Sequence, residues 1–183
     1  PDTLVLMGRD SDEPARGNVS VYGRPVPAEG MFGRALSFDG GSAIGVENCA
    51  FNDQEGSMEA WVFLPEELDA RAGTILRLDS PGPWTYHILQ REPNSRRISY
   101  VIYDGNRGTA VRTGELSPGW HHLLATHSVA NDRFELFVDG TSAGSAKYPV
   151  TCCEGAMLQV GATGLMGNMG NPFTGRIDAV RVT

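Results

Sequence analysis

Phe134-Glu135-Leu136-Phe137-Val138-Asp139-Gly140 carries the clearest structural signal in the chain. Successive side chains of an extended strand point to opposite faces. Phe134, Leu136 and Val138 therefore share one face, and Glu135 and Phe137 share the other. Asp139-Gly140 ends the run, because both residues tolerate the positive φ of a tight hairpin turn. The same signature recurs twice. Residues 98–103 stop at Asp104-Gly105, and residues 35–38 stop at Asp39-Gly40.

Working outward, further strands are expected at 42–46, 58–63, 74–78, 86–90, 121–127, 157–161 and 177–182, with weaker ones at 4–7, 17–22 and 109–113. Residues 65–71, Pro-Glu-Glu-Leu-Asp-Ala-Arg, are the one segment with a helical turn's composition. The 23 glycines and 11 prolines lie scattered between short apolar runs, as in a chain with many turns. Ten or more short strands without a long helix predict an all-β chain, a two-sheet antiparallel β-sandwich or jelly roll.

The 183 residues suit a single domain, 1–183. A core of that size buries roughly 70% of the surface of the unfolded chain, so no staple is required. The net charge of −7 repels phosphate backbones, which argues against nucleic acid as a partner. No apolar run approaches the roughly 20 residues that cross a bilayer, so no membrane insertion is expected. The chain opens on Pro1-Asp2-Thr3 with neither Met nor an apolar leader, which suggests a module from a longer protein. Its cysteines are Cys49, Cys152 and Cys153. Without a CxxC they do not suggest zinc, and they are read either as inert thiols or as one bridge from Cys49 to Cys152 or Cys153.

Several strand-plus-turn blocks resemble one known family. Residues 33–40, Gly-Arg-Ala-Leu-Ser-Phe-Asp-Gly, are similar to the "GxALxFDG" opening of laminin-G-like domains in the concanavalin A-like lectin/glucanase superfamily. Residues 57–62 resemble its "FTxxxWV" strand, 118–126 its "GxWHHVA" strand and 134–140 its "LxLYVDG" hairpin. Residues 158–161 resemble "LxIG", and 173–182 resemble "FxGxIDEVRI". Six blocks in family order span about 33–182.

The resemblance implies a jelly roll with one curved sheet, and an extracellular or cell-surface setting. It implies either a non-catalytic carbohydrate-binding or accessory module, taking an oligo- or polysaccharide, or an adhesion domain without a sugar site. It also implies one structural Ca²⁺ held by the Gly40 carbonyl and by Asp178, unless Asp178 instead caps a turn or pairs with Arg176 or Arg181.

Sugar recognition needs exposed aromatic rings with polar groups beside them. Trp61 and Trp120 lie inside strand blocks and are expected in the core. Trp84 follows the Pro81-Gly82-Pro83 turn, with Tyr86 two residues later. Tyr103 ends a hairpin strand beside Asn106 and Arg107. Trp84, Tyr86, His87, Tyr103, Asn106 and Arg107 are the candidate sugar cleft.

Catalytic patterns are lacking. Retaining glycosidases of this fold carry Glu-x-Asp-x-x-Glu on one strand, so that acid and nucleophile face one cleft. The nearest match, Glu67-Leu68-Asp69, lacks the last Glu and lies in the charged turn. There is no nucleophile elbow and no P-loop, and residues 166–171 read as a glycine-rich loop. His121 and His122 adjoin on a strand and must face opposite ways, so they cannot share a metal ion.

Overall fold

A computed structural model describes residues 18–49, 51–52, 54–80, 85–149, 156–164 and 169–183, and the backbone of residues 4 and 5. Trp84, Cys152, Cys153 and residues 166–168 lie outside the described residues.

The chain folds as two stacked antiparallel sheets. The strands are β1 (Leu4–Val5), β2 (Val19–Tyr22), β3 (Val26–Gly30), β4 (Gly33–Asp39), β5 (Ala43–Cys49), β6 (Glu55–Leu64), β7 (Gly73–Asp79) and β8 (Tyr86–Arg91). They continue as β9 (Ile98–Tyr103), β10 (Gly108–Arg112), β11 (Gly119–Ser128), β12 (Arg133–Val138), β13 (Thr141–Ala146), β14 (Ala156–Val160) and β15 (Thr174–Val182). One sheet runs β13-β12-β11-β6-β15-β4-β3, with β1 also on β15, and the other runs β10-β9-β8-β7-β14-β5-β2.

The turn chemistry behaves as the sequence predicts. Asp139 and Gly140 both take positive φ, 51° and 77°, and join β12 to β13. Gly40 and Gly105 do the same after β4 and β9, at 85° and 91°. Asp139 also anchors the neighbouring strand. Its carboxylate accepts the His122 N–H at 2.8 Å and lies 2.8 Å from His121 Nδ1. Burial raises its pKa, but these hydrogen bonds outweigh that and hold the carboxyl below its usual range.

Alternation sets the core. Met58, Ala60, Val62 and Leu64 of β6 and Leu123 and Ala125 of β11 point inward. They meet Leu76, Leu78, Leu89, Tyr100 and Leu158 of the opposite sheet in one cluster. Cys49 lies in this cluster as a free thiol, and burial pushes its pKa up to about 12, so it is held as an unreactive thiol.

Residues 65–71 form bends rather than a helical turn. Arg96 on the β8–β9 connection and Arg91 at the end of β8 hold carbonyls of this segment. Arg96 donates to the Pro65 and Glu66 carbonyls at 3.1 and 2.6 Å, and Arg91 donates to the Arg71 carbonyl at 2.6 Å.

The interior holds a polar aromatic cluster at one end. His87 Nδ1 lies 2.8 Å from the Tyr100 hydroxyl, and the His127 and Tyr148 rings stack at 5.3 Å. The His87 and His127 rings meet edge-on at 5.0 Å, with Phe51 against both. Burial, and then His127, pushes the His87 pKa well below the ordinary histidine value. His87 is therefore neutral when folded, whereas the unfolded chain protonates below about pH 6.5. The folded state loses stability as pH falls below that point. Urea unfolding should show lower stability at pH 5 than at pH 7. Equal values at the two pH settings would rule out a neutral buried His87.

Candidate functional site

The structure divides the six expected sugar-contact residues. Tyr86 and Tyr103 are cross-strand partners on the outward face of the seven-stranded sheet, with rings stacked at 5.1 Å. Asn106 and Arg107 sit in the adjoining turn, where their N–H groups donate to Asp104 at 2.9 and 2.8 Å. Those four share one corner. His87 does not join them. It is fully buried on the opposite, inward side of β8, so it can touch no surface ligand. Tyr86 is also spoken for, because the Arg77 guanidinium lies 3.9 Å over its ring while Tyr103 covers the other side. Arg77 is fixed in turn by Asp79, at 2.6 Å.

The residues proposed for calcium do not come together. Thr174 of β15 is opposite Asp39, next to Gly40, whereas Asp178 is opposite Trp61. Four strand residues separate the two positions, about 13 Å, so no single ion reaches both. Asp178 is completely buried, accepts the Phe32 N–H at 3.0 Å through Oδ2, and leaves Oδ1 without a hydrogen-bond partner. Among the described residues no three His, Cys, Asp or Glu side chains cluster for a metal. Asp178 also pairs with neither arginine: Arg176 donates to the Glu29 carbonyl and Arg181 to Glu59.

The tryptophans expected in the core are not there. In β6 the inward set is Ala60, Val62 and Leu64, which turns Trp61 and Phe63 outward. In β11 the inward set is His121 and Leu123, which turns Trp120 and His122 outward. All four are partly exposed on the eight-stranded sheet.

Registers order this face into rows. Trp120 lies opposite Phe63, and Phe63 opposite Arg176. Next come His122, Trp61 and Asp178, then Leu124, Glu59 and Arg181, with Phe137 beyond Leu124. The β3–β4 hairpin tip curls over the second row and sets the exposed Phe32 ring edge-on to Trp61 at 5.4 Å. Trp61 meets the His122 ring at 5.2 Å, and Phe63 meets Trp120 at 5.6 Å. Polar groups border these rings. Glu59 lies 3.4 Å from His122 Nε2 and 3.5 Å from Arg181, while Arg176 lies 5.0 Å over Phe63.

Aromatic faces bordered by fixed charges offer apolar area and directional hydrogen bonds side by side, the combination that small-ligand sites use for orientation. The sequence carries one hint of this face: Trp61 and Phe63 alternate with aliphatics in β6, one of the two longest strands.

Solved structures similar in fold include domain 4 of an extracellular arabinanase of the GH43 class from Geobacillus stearothermophilus, in complex with arabinotriose. That domain is 21% identical, with a TM-score of 0.70, covering 98% of this chain and 81% of its own. The binding domain of botulinum neurotoxin serotype D is 14% identical, with a TM-score of 0.71. A botulinum neurotoxin DC binding domain in complex with SialylT is 12% identical, with a TM-score of 0.72. This chain is covered to 98% in both neurotoxin matches but spans only 47% and 46% of those longer chains. No curated protein sequence matches. A family model described as the concanavalin A-like lectin/glucanases superfamily matches residues 38–183, and the chain belongs to that superfamily.

Proposed function

We propose that this domain is a non-catalytic glycan-binding module of an extracellular or cell-surface protein, and that its sugar site is the outward face of the eight-stranded sheet. The observation that carries the reading is the outward placement of Trp61, Phe63 and Trp120 on adjacent strands, bordered by Glu59, His122 and two arginines. A sugar ring has apolar C–H faces and a hydroxyl edge. Ring faces stack on indole and phenyl groups while carboxylate and guanidinium groups take the hydroxyls. Glu59 is occupied by Arg181 and His122, which suits it to hold hydroxyls rather than to shuttle protons. Two fold neighbours bound to arabinotriose and to SialylT give the sugar reading further support.

The Tyr86–Tyr103 corner is the competing surface, and one comparison separates the two. Affinity electrophoresis in arabinan and other soluble polysaccharides is expected to retard the parent domain. Trp61→Ala is expected to weaken retention at least about tenfold, the equivalent of 1.4 kcal/mol, and Tyr103→Ala to leave it intact. Trp61→Phe, which keeps a stacking ring, should recover part of the loss, and unchanged melting temperatures exclude a folding artefact. The opposite result moves the site to the seven-stranded sheet. No retention by any glycan favours a protein-interaction domain.

A further inference from the structure

The outward face does not end at Glu59. Two more rows continue it: Thr126, Ser57 and the Thr183 backbone, with Glu135 beyond Thr126, and then Ser128 and Glu55, with Arg133 beyond Ser128. These rows surround a groove of about 760 Å³. Its chemistry differs from the aromatic end, for its side chains are hydroxyls, an amide, two carboxylates, a guanidinium and the His127 imidazole, with no Trp, Phe or Tyr. The groove is held in shape from below and from the side. Glu135 accepts from Ser142 at 2.5 Å and from Arg133 at 2.9 Å, and Asn131 donates to Ser128 at 2.9 Å. Gly56 forms part of its wall, where a Cβ would press against the Thr183 and Asn52 carbonyls and the His127 ring.

Ser57 lies four residues from Trp61 on β6, about 13 Å along the strand, and Thr126 lies six residues from Trp120 on β11, about 20 Å. A single sugar cannot touch both ends. A chain laid along the two strands does. Two carboxylates against one guanidinium make the groove unfavourable for an acidic sugar, and the chain's net charge of −7 adds to this.

We infer that the ligand is a linear, neutral oligosaccharide running parallel to β6 and β11, with its rings stacked at the tryptophan end and its hydroxyls held in the Thr126–Glu135 groove. This rests on the glycan reading and adds to it a second subsite, a direction and a charge class. Linking two subsites through one ligand makes the second contact intramolecular, so affinity climbs steeply with chain length until both are filled.

The test is calorimetric titration of the domain with arabino-, xylo- and cello-oligosaccharides from monosaccharide to hexasaccharide, and with sialyllactose as the acidic comparison. In at least one neutral series affinity should rise about tenfold or more between disaccharide and tetrasaccharide, then level off. Thr126→Leu, which fills the groove with an apolar side chain, should flatten that rise while leaving disaccharide binding unchanged. Trp61→Ala should remove binding at every length. The inference is overturned, and the glycan reading kept, if disaccharide and hexasaccharide bind equally, if Thr126→Leu keeps the full length dependence, or if sialyllactose binds tightest. Absence of binding by every probe overturns both together.

Discussion

Gly161→Ala is expected to lower the melting temperature by roughly 10 °C, read by circular dichroism. Gly161 follows β14 with φ at +86°, where a side chain costs about 1–2 kcal/mol. The added Cβ would also press on Cδ1 and Cε1 of the Phe38 ring, closer than real carbon atoms approach. Phe38 is only 1% exposed and sits in the main core, so its ring has no free space to move into. Overpacking of that kind adds about 1–3 kcal/mol. The amide and carbonyl of Gly161 are both used, by Ile75 and Phe173, so the backbone cannot swing away without breaking them. Phe38→Leu in the same chain should return part of the loss by removing the ring edge. A single Gly161→Ala variant melting within about 2 °C of the parent would show that this corner is loosely packed.

Arg91→Met should be comparably damaging, at roughly 1–3 kcal/mol for each buried carbonyl left without its donor, read by urea denaturation. Arg91 is 2% exposed, and its guanidinium serves three backbone carbonyls, those of Glu92, Ser95 and Arg71, at 2.6, 3.1 and 2.6 Å. Burial lowers its pKa from the usual arginine value, against a smaller upward pull from Asp69, yet it stays charged at neutral pH. Methionine fills much of the stem's volume but leaves those carbonyls without their donors. The damage should be local first. Residues 65–71 and 92–97 are pinned through these bonds, so amide exchange there should speed up well before the sandwich melts. Unchanged exchange in both segments would show that other contacts hold them.

Most strands were legible because alternation and turn residues agree. The Asp-Gly turns place chain reversals, and the inward set of β12 is unambiguous. Two strands gave no such signal. Val26-Pro27-Ala28-Glu29-Gly30 contains a proline and a charge, and Thr141-Ser142-Ala143-Gly144-Ser145-Ala146 has no large side chain. Both are sheet edges, where polar and small residues are tolerated because one side faces water. Composition therefore hides edge strands more readily than central ones.

The site was harder to read for a related reason. In β6 both sets are apolar: Ala60, Val62 and Leu64 on one side, Trp61 and Phe63 on the other. Hydrophobicity alone cannot choose between them. Packing does, since the small and branched set fits between the sheets and the indole would not. β11 misleads more, because its inward set includes His121 and His127. Histidine next to an aliphatic looks like a surface residue in sequence, but here His127 and His87 are both buried among aromatic rings. Pairing of Asp178 with Trp61 rather than with the Gly40 corner depends on strand register and on the bulge that follows Asp178, neither of which is written in the local sequence.

β15 lies between β6 and β4 in the middle of the eight-stranded sheet, although it follows all the other described strands in chain order. A ribosome adding roughly 5–20 residues per second exposes β6 for several seconds before that strand emerges. During that interval β4 and β6 each lack a neighbour, and the tryptophan-bearing strand offers an open hydrogen-bonding edge. The nascent domain is then a set of hairpins waiting for a keystone, and truncation just before residue 174 should yield an insoluble chain rather than a smaller sandwich.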